Sequence, residues 1–158
     1  MANTQSMCTS FLGELLTATH NFGVAPIRAA TTADTFNGAL YLSTATINAA
    51  TTVYTTTGEV TGTNYSPGGV AITNATVPAS TNSSSTAGTA YWTPSASITY
   101  TNVTLSIAFD TVLVYNATQG NKAVSVHTFS PQTITAGTFI LTMPSNTTST
   151  ALLRLSTT

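Results

Sequence analysis

The clearest pattern in the chain is an alternation: Val103, Leu105, Ile107 and Phe109 fall on one side, Thr104, Ser106 and Ala108 on the other. A period of two is what a half-buried strand requires, so the first set is predicted to face the core. Residues 111–115 (TVLVY) are apolar on both sides, as expected of a central strand covered twice. Asp110 stands between the two runs, where it is predicted to accept bonds from turn amides. Shorter β signals occur at residues 37–44, 51–54, 69–77, 122–129, 138–143 and 151–155. Gly120 with Asn121, and Ala136 with Gly137, are predicted to turn the chain between strands.

The N-terminus follows a different period. Met7, Cys8, Phe11, Leu12, Leu15 and Leu16 recur at helical spacing, with Ser6 or Thr9 placed to cap the first amides. One short amphipathic helix is predicted, too marginal to stand alone, so its apolar stripe must lie on a sheet or on a neighbouring subunit. Residues 21–35, which include Pro26, show little periodicity and are predicted to run as an extended arm. Residues 78–89 (PASTNSSSTAGT) have the polar, low-complexity composition of a flexible loop. Many short strands, frequent turn signals and a single helix predict an all-β fold, an antiparallel β-sandwich or jelly roll with one short N-terminal α-helix. The chain is expected to be one domain, with the helix and arm over residues 1–36 and the sandwich over 37–158.

Composition then narrows the function. Charged residues make up 4% of the 158, and the formal net charge is -1, whereas a soluble domain usually has about a quarter of its residues charged. Ser and Thr fill the gap with about a third of the chain, and β-branched Thr suits a pleated surface. A surface so poor in charge lacks the main device against edge-to-edge association, which points to life inside an assembly. Lys and Arg total three, too few for the roughly 6 to 10 phosphate contacts common in nucleic-acid binding. No apolar run reaches the length of a membrane span, and the N-terminus lacks a signal-peptide pattern, so no membrane partner is expected and the chain is expected to be made in the cytoplasm. A lone cysteine, Cys8, rules out an intrachain disulfide.

Candidate chemistry is sparse. His20, His127 and Cys8 form no metal-ligand spacing, and no G-x-S-x-G elbow marks a serine nucleophile. His127 is expected to bond a neighbour on its strand. Glu14, Asp34, Glu59 and Asp110 are the only carboxylates, and no two are placed by pattern as a catalytic pair. No catalytic residue, metal or cofactor is therefore predicted. Lys122 amid many asparagines raises a Lys–Asn amide crosslink, which would need the pair buried beside a carboxylate; a solvated lysine at a strand start is the simpler expectation. Sequons at Asn64, Asn74, Asn82, Asn102, Asn116 and Asn146 are expected by chance in a chain this rich in Ser and Thr. The stretch GEVTGTNYSPGGVAIT (residues 58–73) has neither the Gly-Lys-Ser/Thr of a P-loop nor the spacing of a dinucleotide loop. Its glycines look architectural, and Glu59 is expected either to accept bonds from loop amides or to pair with a neighbour's basic residue.

Several stretches together, FNGALYLSTATI, YTTTGEVTGTNYSPGG and VLVYNATQGNKAV, within an order running from SFLGELLTATHNFG to LLRLS, resemble a family of small virion proteins of tailed bacteriophages. The resemblance spans nearly the whole chain and is nearest to capsid decoration, or cement, proteins. It implies a small β-sandwich or jelly roll on the outer surface of the capsid, assembled in the host cytoplasm. Its partners would be the major capsid protein and copies of itself, as a trimer. A tail or neck component, or a receptor-binding protein, is the alternative. On either, the residues expected to touch neighbours are Phe11, Leu12, Leu15 and Leu16 of the helix, Pro26, Ile27 and Arg28 of the arm, Glu59, and Tyr91 with Trp92.

Overall fold

The computed structural model describes residues 3–8, 11, 15, 19–20, 22, 33–73, 78–81 and 89–156. Its elements are strands: β1 Ser6–Met7, β2 Phe36–Leu42, β3 Val70–Ala71, β4 Ala79–Ser80, β5 Thr89–Trp92, β6 Ile98–Asn116, β7 Lys122–Leu141 and β8 Leu153–Ser156. They form two antiparallel sheets, one of five strands in the order β1-β7-β6-β2-β3 and one of three in the order β4-β5-β8. The all-β expectation holds in that form. The apolar run at residues 111–115 is central as expected, buried throughout between β2 and β7.

Two turn predictions are corrected. Asp110 lies inside the 19-residue β6, and Ala136 with Gly137 lies inside the 20-residue β7. Both features are absorbed as irregularities of one long hairpin whose register shifts between Tyr100 and Val103, Val103 and Leu105, Leu105 and Phe109, and Phe109 and Thr111. Ala136 takes the extra-residue position of a bulge with φ 46°, which satisfies a turn-like dihedral without reversing the chain. The same shifts overturn the prediction for Ile107. Val103, Leu105 and Phe109 are buried, but Ile107 is 57% exposed, because an irregularity between Leu105 and Phe109 breaks the period of two.

The N-terminal segment also departs from prediction. Ser6 and Met7, expected to open a helix, pair instead with Val126 and Ser125 of β7, and the Cys8 amide continues the ladder to the Val124 carbonyl at 3.1 Å. The edge of β7 has backbone groups that need partners, and pairing them outweighs the weak propensity of a three-turn helix. Beyond Cys8, Phe11 and Leu15 are described with helical backbone, whereas Leu12, Leu16, Pro26, Ile27 and Arg28 lie outside the described residues. The loop predicted at 78–89 contains β4, which pairs with Ala90 and Tyr91 of β5; residues 82–88 lie outside the described set.

One apolar core serves both sheets. Trp92 of β5 meets Phe22 at 4.7 Å and Phe36 of β2 at 6.1 Å between ring centroids, and Phe22 stacks on Phe36 at 4.6 Å. A second aromatic group, Phe109, Phe129 and Phe139, fills the hairpin with centroids 5.0–5.8 Å apart.

Candidate functional site

The glycine-rich stretch folds alongside β2. Val60 donates to the Leu40 carbonyl at 3.0 Å and Leu42 to that of Gly58 at 2.9 Å, which carries Glu59 inward until it is 7% exposed. There its carboxylate accepts the Tyr54 hydroxyl on Oε2 (2.6 Å), and on Oε1 the Tyr65 hydroxyl (2.7 Å) and the Gly68 amide (2.7 Å). Three more phenols close the surroundings: Tyr41 donates to Thr55 (2.5 Å), Tyr100 to Gly38 (2.7 Å) and Tyr115 to Gly68 (2.9 Å), all at carbonyl oxygens. Burial pushes all five hydroxyls above the ordinary tyrosine value, and the Glu59 charge pushes them further. Gly69, at φ 74°, makes the approach possible, since a Cβ there would sit 1.7 Å from the Gly38 oxygen. Acceptance from a loop amide, one of the two roles expected for Glu59, is present. The grouping of tyrosines around Glu59 was not legible in the sequence, although five of the chain's six are involved, around one of its four acids.

Four of the residues expected to touch neighbours come together elsewhere. Phe11, Leu15, Tyr91 and Trp92 line an open apolar pocket of about 120 Å³ with Phe22, Leu153 and Leu155. Trp92 and Phe11 are themselves buried, at 3% and 1% exposure, whereas Leu155 is 46% exposed. The pocket has an inner wall formed by the aromatic core and a more exposed apolar rim. Glu59 is not part of its lining.

The third feature is where the charge goes. Asp34 and Glu59 are buried. Asp110 is half-buried, accepting from Asn3 and Thr111 at 2.7 Å each. Among the described residues Arg154 is the one charged side chain that stands exposed. The outer hairpin, residues 98–108 of β6 and 129–141 of β7, contains no charged residue at all. Along residues 129–141, β7 pairs with β6 alone among the described strands, and Ile107 and Ile140 project with 57% and 53% exposure. Pro131 and the bulge at Ala136 interrupt this edge, which limits strand addition and leaves side chains to carry a contact.

Chemistry beyond contact is limited to one pair. Ser125 Oγ lies 2.9 Å from Nε2 of half-buried His127, and burial pushes the imidazole down to about 4, so it is neutral near pH 7. The pair borders a cleft with Gln5, Ser6, Leu152 and Leu153 but no carboxylate, so the orienting third group of a serine triad is missing from that lining. No group of three or more His, Cys, Asp or Glu among the described residues is placed to hold a metal, and no helix among them is long and apolar enough to cross a membrane. Comparison with protein-family models, curated proteins and solved structures finds no match.

Proposed function

We propose that this chain is a structural protein of a tailed-bacteriophage virion, a capsid decoration or cement protein that bridges capsomers from outside the shell as a homo-oligomer, a trimer. In this proposal the two sheets stack as a β-sandwich around the shared aromatic core. The observation that carries it is the charge-free outer hairpin, with Ile107 and Ile140 exposed while Asp34 and Glu59 are withdrawn into the interior. Burying an ion at an interface costs several kcal/mol unless it is well paired; a face of hydroxyls and methyls meets many neighbours without that cost. Apolar contact at about 25 cal/mol per Å², over an interface of roughly 1,600 Å², repeated around a shell, resists internal pressure. The apolar pocket beside Tyr91 and Leu155 gives each copy a second point of attachment. The role is mechanical and involves no turnover of substrate.

Stoichiometry in purified particles tests it. A cement protein is expected in numbers comparable to the shell subunits, and particles lacking it are expected to release DNA on heating while still adsorbing to cells. A few copies per particle with lost adsorption would overturn the assignment in favour of a tail, neck or receptor-binding role. Hydrolysis of a host glycan that Glu59→Gln or Asp110→Asn abolishes would overturn it in favour of an enzyme.

A further inference from the structure

Asn116 ends β6 at a corner where polar groups meet inside the protein. Its side chain is fully buried, and Asp34 and His20 beside it are 5% and 8% exposed. The carboxamide nitrogen donates to Asp34 Oδ2 at 2.8 Å and lies 3.0 Å from His20 Nδ1. The carboxamide oxygen accepts the backbone amides of Thr118 and Gln119, both at 3.1 Å. Gln119 holds the other oxygen of Asp34 at 3.0 Å. Directly across the ladder from Asn116 stands half-buried Lys122. Paired residues of antiparallel strands project from the same face with Cβ atoms about 4.5–5.5 Å apart, within the span of a four-carbon amine. An asparagine that only caps the turn at residues 117–121 needs its oxygen; the turn does not require its nitrogen to rest on a buried carboxylate.

We propose that Lys122 and Asn116 are joined by an intramolecular amide bond, formed by the protein itself at this corner. Asp34 takes a proton from the Lys122 ammonium, and the freed Nζ lone pair attacks Asn116 Cγ to make the Cγ–Nζ bond. Negative charge gathers on Oδ1, where the Thr118 and Gln119 amides already point, the arrangement that stabilises a tetrahedral oxyanion. Asp34 returns its proton to Nδ2, the Cγ–Nδ2 bond breaks and ammonia leaves. The surplus proton on the new amide nitrogen passes through Asp34 to the ammonia, so one ammonium ion is released and Asp34 ends as the carboxylate it began as. No oxidant or cofactor enters the balance. Proximity supplies much of the rate, since nucleophile and amide are held in one strand pair. The bond would give a chain with one cysteine a covalent closure of its longest hairpin, independently of where the protein serves.

The test is the intact mass of the full folded chain, with a peptide map. The expected mass is below the sequence mass by one ammonia, with a branched peptide linking positions 116 and 122. Lys122→Arg is expected to restore the sequence mass while keeping the circular dichroism of the parent, and Asp34→Asn to block the loss. Should Asp34→Asn fail to fold, the parent's mass still decides. Sequence mass with separate, unmodified peptides for Asn116 and Lys122 overturns the proposal. So does ammonia loss that persists in Lys122→Arg, because the loss would then come from elsewhere.

Discussion

Glu59 shows what a single charge does when a chain has few to spend. Its three donors belong to half-buried residues, and removing the acceptor leaves them unsatisfied at about 1–3 kcal/mol for each that water cannot reach. Glu59→Ala is therefore expected to cost roughly 3 kcal/mol in urea unfolding, with Glu59→Gln costing less because one oxygen remains. A loss within the error of the parent would show that the loop is held by other contacts. The surrounding phenols give a pH signature. Their folded values are raised above the ordinary 10.0 by burial first and by Glu59 after it, so their stabilisation is complete below pH 10 and is lost as pH rises through the folded values. Ultraviolet titration is expected to show Tyr41, Tyr65 and Tyr100 ionising only as the chain unfolds. His127 acts at the opposite end. Its value falls from 6.5 to about 4, so its contribution is present above pH 6.5 and is lost as pH falls through 4, amounting to at most about 3 kcal/mol. Melting temperature followed from pH 7 to pH 4 is expected to fall less steeply in His127→Gln than in the parent.

At the scale of elements, the long hairpin decides the architecture through its defects. Ala136 sits at φ 46°, a region in which an L side chain is strained, so Ala136→Gly is expected to gain about 0.5–1 kcal/mol and Ala136→Val to lose more than that. Equilibrium unfolding checks both. Gly69 is the reverse case: with φ 74° and the Gly38 oxygen 1.7 Å from a Cβ, Gly69→Ala is expected to cost about 3 kcal/mol or more and to free the β2–β3 corner. The strand character of these segments was legible in the sequence because alternation reports it directly. Their continuity was not. A residue with positive φ, such as Ala136, serves a turn and a bulge equally well, and only the partner strand distinguishes them. The predicted helix is not supported as an element among the described residues, and its start failed for a related reason: Ser6 and Met7 took their conformation from the open edge of β7, which local spacing cannot see.

At the scale of the whole molecule, composition announced a charge-poor surface but not that Asp34 and Glu59 would be buried. That placement follows from contacts far apart in sequence, Asp34 with Asn116 and Gln119, Glu59 with Tyr54, Tyr65 and Gly68. It leaves the outer hairpin neutral, and neutrality has a measurable consequence for the proposed self-association. Contacts made by ion pairs weaken as salt shortens the screening length from about 14 Å at 0.05 M to about 4 Å at 0.5 M, whereas apolar contacts do not. Sedimentation equilibrium is expected to give the same association constant at both ends of that range. Ile140 is 53% exposed in the single chain, and an aspartate there would have to be stripped of water on association. Ile140→Asp is therefore expected to weaken self-association at least tenfold, about 1.4 kcal/mol, while leaving the unfolding midpoint of the dissociated chain unchanged. Association that falls steeply with salt would place the contact at Arg154 or Asp110 instead of the hairpin. Association unaffected by Ile140→Asp would remove this face from the interface, leaving the pocket at Tyr91 and Leu155 to be tested by Leu155→Asp in the same way.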